Sequence, residues 1–93
     1  MRIIEICFTG FDTDERKKLW DLAESHGFLV RKEVTKKLHV LCTGKNAGPK
    51  KLEDAIKDGV IIITGDDFIT YTKTGIPETI KDAIEQLRLS RKI

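Results

Sequence analysis

The sequence predicts an α/β domain built on a largely parallel sheet, and three observations lead there. Short apolar runs alternate with segments of helical periodicity, in the order β-α-β-β-α-β-α. The run Val60-Ile61-Ile62-Ile63 is apolar without interruption, as a strand covered on both faces must be. Helix boundaries carry their own chemistry: Asp12 stands three residues before Glu15 and Thr64 three before Asp67, the spacing of a capping box.

The elements follow in order. Ile3 to Thr9 is apolar and β-branched, and reads as the first strand. The Thr9-Gly10-Phe11-Asp12 stretch breaks it, and a helix capped by Asp12, or by Thr13, runs to about Ser25. Its inward stripe is Leu19, Leu22 and Ala23, widened by Trp20, which is read as core in preference to a base-stacking platform. Gly27 suits the position that ends a helix. Phe28 to Val30 is a short second strand, Glu33 to Lys37 a polar turn and Leu38 to Cys42 a third strand. Thr43 to Pro49 is rich in breakers. A helix from Lys50 to Lys57 follows, with Leu52, Ala55 and Ile56 inward, and stops near Asp58-Gly59. The strand Val60–Ile63 leads to a third helix bearing Phe68, Ile69 and Tyr71. The link between the second and third strands is too short for a helical crossover, and periodicity does not fix the strand order.

Beyond Gly75 a further helix opens after Pro77, with Ile80, Ala83, Ile84 and Leu87 at helical spacing, Asp82, Glu85 and Gln86 facing away, and Arg88, Arg91 and Lys92 near its end, where cations suit the dipole. The expected organisation is therefore a domain over residues 1–75 and an amphipathic helical extension over 76–93. The apolar edge of that extension packs either on the domain itself or on a partner, a homodimer included.

With 93 residues, 40% hydrophobic and 34% charged, the chain suits one globular domain. No apolar run approaches the roughly 20 residues of a membrane helix. Glu5 interrupts any signal-peptide core at the N-terminus, so the expected compartment is the cytoplasm, at the nucleoid, or the nucleus in a eukaryote. Cys7, Cys42, His26 and His39 are scattered, without metal-ligand spacing, and the cysteines read as buried reduced thiols. Ser25 and Ser90 stand in no nucleophile motif, Gly44 and Gly48 make no nucleotide loop, and Asp66-Asp67 reads as a helix-dipole pair. The sequence therefore points to no enzyme, no cofactor and no metal.

Charge is unevenly spread. Residues 31–51 hold seven basic side chains against Glu33 alone, a net of +6 in a chain whose total is +2. Such a basic middle is either a footprint for an anionic partner or a set of solvated lysines.

Several segments, in order, resemble BRCT domains. Ile6-Cys7-Phe8-Thr9-Gly10-Phe11 looks like their first strand and Thr/Ser-Gly turn, and Gly27-Phe28-Leu29-Val30 like the turn into their second strand. Val34 through Gly44 is similar to their Lys-Lys-containing segment, Ala47 through Ala55 to the start of their second helix, and Val60 through Phe68 to their fourth strand and third helix. The resemblance spans about residues 3 to 72 and is greatest to the bacterial subtype at the C-terminus of NAD-dependent DNA ligases and in some exonuclease-like proteins. It implies a four-stranded parallel sheet in the order 2-1-3-4, with two helices on one face and one on the other, and so puts Cys7 and Cys42 on neighbouring strands. Two residues depart from the pattern. Phe68 replaces a frequent Trp, and Lys50 replaces the Ser or Thr before the second-helix lysine.

The resemblance also implies function: a non-catalytic binding module of DNA repair or replication, acting on a protein partner. Phosphate-binding members use a Thr/Ser hydroxyl, the next Gly amide and a second-helix lysine, which here are Thr9, Gly10 and Lys51. Asp12, Asp14 and Glu15 lie close by in sequence and oppose an anion. The alternative is a DNA-binding module for ends or 5′-phosphates, using Lys36, Lys37, Lys45 and Lys50. A third reading is homodimerisation through the last helix.

Overall fold

A computed structural model describes residues 3–91. Four parallel strands, β1 (Glu5–Thr9), β2 (Leu29–Arg31), β3 (Val40–Thr43) and β4 (Ile61–Thr64), form one sheet in the order β2-β1-β3-β4. Four helices accompany them: α1 (Thr13–Ser25), α2 (Pro49–Lys57), α3 (Gly65–Thr74) and α4 (Glu78–Ser90). The implied strand order and parallel pairing are both present.

Register decides which side chains meet. Cys7 pairs with Leu41 and Phe8 with Cys42, and paired residues of a parallel sheet point to the same side. Ile6, Phe8, Val40, Cys42 and Ile63 therefore share one face, covered by Leu19 and Ala23 of α1, Phe68 of α3 and Ile84 of α4. Cys7 and Leu41 share the other, covered by Ala55 of α2 with Leu38 and Val60. The two cysteines are free and buried, and although their strands adjoin, their thiols lie on opposite faces. Phe68 fills the slot of the missing Trp, meeting Phe8 and Phe28 edge-to-face at 5.3 and 5.6 Å.

Caps form as their residue types require. The Asp12 carboxylate accepts from the Glu15 amide at 2.8 Å, and Thr64 and Asp67 make a full capping box. The expected inward stripes need two corrections. Ile56 is 69% exposed, because Leu52 and Ala55 already fill the narrow face that α2 presents to the sheet. Trp20 lies outside both core clusters, half-buried on the flank of α1, with the Arg16 guanidinium 5.6 Å from its ring centre.

Candidate anion-binding site

The site begins where β1 ends. Gly10 has φ +84°, a conformation costly for residues with a Cβ, and a Cβ there would lie 2.3 Å from the Ala47 amide nitrogen. The loop after β3 presses onto this turn: the Gly44 amide donates to the Thr9 carbonyl at 2.8 Å and the Asn46 amide to the Gly10 carbonyl at 3.1 Å. That loop leads directly into α2, so the Thr9-Gly10 turn and the first turn of α2, with Lys50 and Lys51, are tied together by backbone bonds.

Alternation along β1 puts Thr9 on the side of Cys7, the face that α2 covers. Among the described residues the Thr9 hydroxyl and the Gly10 amide make no hydrogen bond. Lys51 is half-buried, and its ammonium has the largest charge effect on the Cys7 thiol, followed by the Arg16 guanidinium. Burial is the larger influence and raises the Cys7 pKa, while the two cations pull against it. The charges of Lys51 and Arg16 thus both act on Cys7, two residues from Thr9.

Arg16 is a second cation acting on this part of β1 that the sequence does not single out. Its Nε is buried without a partner among the described residues. A signal was present: Arg16 sits close behind Asp14 and Glu15 at the start of α1, where the helix dipole favours acids over cations.

The remaining lysines do not form one stripe. Lys36 and Lys37 occupy an exposed turn before His39, whose amide bonds Glu5 at the start of β1. Lys45 and Lys50 are exposed beyond the other end of β3. Arg31 is held by Glu5 at 2.7 Å. Lys45 borders a cleft of about 490 Å³ at the C-terminal end of the sheet, beside Gly10, whose charged lining is otherwise Asp12, Glu15 and Asp66. No cluster of metal-ligating side chains occurs among the described residues, and none of their helices is long and apolar enough to cross a membrane.

The model of the BRCA1 C Terminus (BRCT) domain family matches residues 2–70. The chain belongs to the BRCT family. Among curated proteins this BRCT chain is 38% identical over 60 residues to a DNA ligase of Cytophaga hutchinsonii, covering 64% of the chain and 9% of the ligase. It is 35% identical over 68 residues to a DNA ligase of Flavobacterium johnsoniae, covering 73% and 10%. The chain thus spans about a tenth of the length of the curated relatives it matches. Among solved structures it is similar to the C-terminal BRCT domain of human XRCC1, with a TM-score of 0.67 and 14% identity over 83% of this chain and 84% of that one. It is also similar to the Rad4 BRCT1,2 structure solved in complex with a Mdb1 phosphopeptide, with a TM-score of 0.64 and 24% identity over 76% of this chain and 40% of that one. At these identities the structural likeness speaks for the fold.

Proposed function

We propose that this BRCT domain is a non-catalytic module that recruits a protein partner in DNA repair or replication by docking a phosphate at Thr9, Gly10 and Lys51, with Arg16 as a further cation. The observation that carries the reading is a turn whose Thr9 hydroxyl and Gly10 amide have no hydrogen-bond partner among the described residues, bound by backbone to the loop that leads into α2 and its Lys51. A dianion wants short, pre-aimed donors and a desolvated positive charge, and a left-handed glycine lets the backbone approach it. The fold likeness to a Rad4 structure that holds a phosphopeptide adds support.

The test is binding of the full chain to a phosphothreonine peptide and its unphosphorylated twin. The phosphorylated form should bind at least tenfold tighter, and Lys51→Ala should abolish that gain, since a charge-assisted hydrogen bond is worth about 1.5–3 kcal/mol. Equal binding of the two peptides removes the reading.

The DNA-end reading draws on the ligase relatives. Against it stands the division of the basic residues between the two ends of β3. It requires affinity that falls steeply with salt and rises with a 5′-phosphate. Dimerisation through α4 has the least support, because Ile84 is already buried in the core of its own chain.

A further inference from the structure

The chain leaving β2 carries a carboxylate, Glu33, that phosphate docking does not use. The β1–β2 register pairs Cys7 with Arg31, so two residues further on β1 reaches Thr9 while the chain leaving β2 reaches Glu33. The segment that carries Glu33 adjoins the face covered by α2. Arg31 faces α2, held by Glu5 of the same face, and Val34 packs into the cluster beneath α2 together with Leu52, the neighbour of Lys51. Glu33 is exposed and makes no ion pair among the described residues. Its charge acts on the Cys7 thiol, as do those of Lys51 and Arg16. On the far side of Gly10 lies the cleft bordered by Asp12, Glu15 and Asp66.

An anion held here is therefore hemmed by carboxylates. One isolated phosphate meets Lys51, Arg16 and the turn. A second phosphate of the same ligand would be brought towards Glu33 or the acidic cleft. A DNA strand carries a phosphate about every 3.4 Å along its axis and cannot avoid that approach. A peptide can instead place a lysine or arginine there, turning repulsion into a pair.

Building on the phosphate-docking reading, we propose that Glu33 is a specificity-determining residue: it favours a lone phosphomonoester on a peptide with a flanking cation and turns away a run of phosphates.

The experiment measures four probes against the full chain and its Glu33→Gln variant: a phosphothreonine peptide with a flanking arginine, the same peptide with alanine there, the arginine peptide without phosphate, and a 5′-phosphorylated DNA duplex. Glu33 is exposed, so the variant should fold as the unmutated chain does. The unmutated chain should prefer the arginine peptide about two- to fivefold, the range of an exposed ion pair. Glu33→Gln should erase that preference and tighten DNA binding by a similar factor. Phosphate-dependent peptide binding that Glu33→Gln leaves unchanged in both respects overturns this inference and spares the docking reading. Loss of any phosphate dependence in the unmutated chain overturns both. Tighter binding to the duplex than to either phosphopeptide, unaltered by Glu33→Gln, also overturns the inference.

Discussion

His39 shows how much a single buried polar side chain can depend on a distant partner. Its Nδ1 accepts from the Glu5 amide at 2.9 Å, which requires a neutral ring with its proton on Nε2. Burial holds its pKa below the ordinary value of 6.5, and Arg88 and Arg91 push the same way, against a smaller opposite pull from Glu5. A histidine with a depressed folded-state pKa contributes stability that is complete above the unfolded value. That contribution is lost as pH falls from about 6.5 towards the folded value, because the unfolded chain binds the proton first. His39→Gln keeps an acceptor but cannot titrate. It should cost about 1–2 kcal/mol at pH 7.5 and flatten the fall in melting temperature between pH 7 and 5; equal slopes in the two proteins would refute the role. The thiols also follow from burial. Burial, with smaller effects from Asp67 and Cys7, raises the Cys42 pKa to about 12, and the Cys7 pKa is raised too, so a thiol reagent at pH 8 should label neither until the chain unfolds. At this scale the sequence was only partly legible. Thr9, Gly10 and Lys51 enter only as candidates, through the resemblance to BRCT domains. His39 could only be read as isolated, since its partner is a backbone amide 34 residues away. Glu33 needed the register of β2 on β1 before its position meant anything.

At the level of elements, periodicity located every helix and strand, and its errors have physical causes. The strands expected from Ile3, Phe28, Leu38 and Val60 all enter the ladder later, at Glu5, Leu29, Val40 and Ile61, and at Phe28 and Val60 the cause is visible. In both places the amide of that first residue is already engaged in closing the preceding helix: Phe28 donates to Ala23 at 3.0 Å and Val60 to Ala55 at 2.8 Å. Gly27 and Gly59, both at positive φ, make the turn. A helix end and a strand start compete for the same N–H, and hydropathy alone does not show which takes it. The misplaced Ile56 has the same lesson, since apolar spacing reports which residues could face inward and the width of the covered face selects among them. Ile56→Gln should therefore change stability by no more than about 0.5 kcal/mol. Phe68→Ala, which removes a ring 1% exposed between Phe8 and Phe28, should cost about 3–5 kcal/mol in chemical denaturation. Comparable costs for the two would mean that α2 seats itself differently from the way described.

For the whole molecule the open question is what α4 belongs to. Composition and periodicity left its apolar edge between the chain's own surface and a partner, and the family match stops at residue 70, before α4 begins. Packing supplies what periodicity could not. Ile84 is 2% exposed within the larger core cluster, and Ile80 packs against the same cluster. The end of α4 is tied down by polar contacts that sequence reading had assigned to its dipole. Arg88 donates to the Ile3 carbonyl at 2.9 Å and to Glu85 at 2.9 Å, and Arg91 donates to the Asp58 carbonyl at 3.5 Å. These contacts reach the start of the chain and the turn before β4, so α4 closes the base of the sheet that α1 and α3 leave uncovered. Lys92 lies outside the described residues. Truncation after Gly75 should then expose Val40, Ile63 and Phe68 and cost at least the 2–5 kcal/mol of one large buried aliphatic side chain. Set against a typical total of about 5–15 kcal/mol, that loss should lower the melting temperature by well over ten degrees. Ile84→Ala, which keeps the helix and both arginines, should reproduce a large part of it. If the truncated chain melts where the full chain does, and light scattering shows the full chain alone to be dimeric, then α4 serves the partner rather than the core, and the burial of Ile84 described here is not its working arrangement.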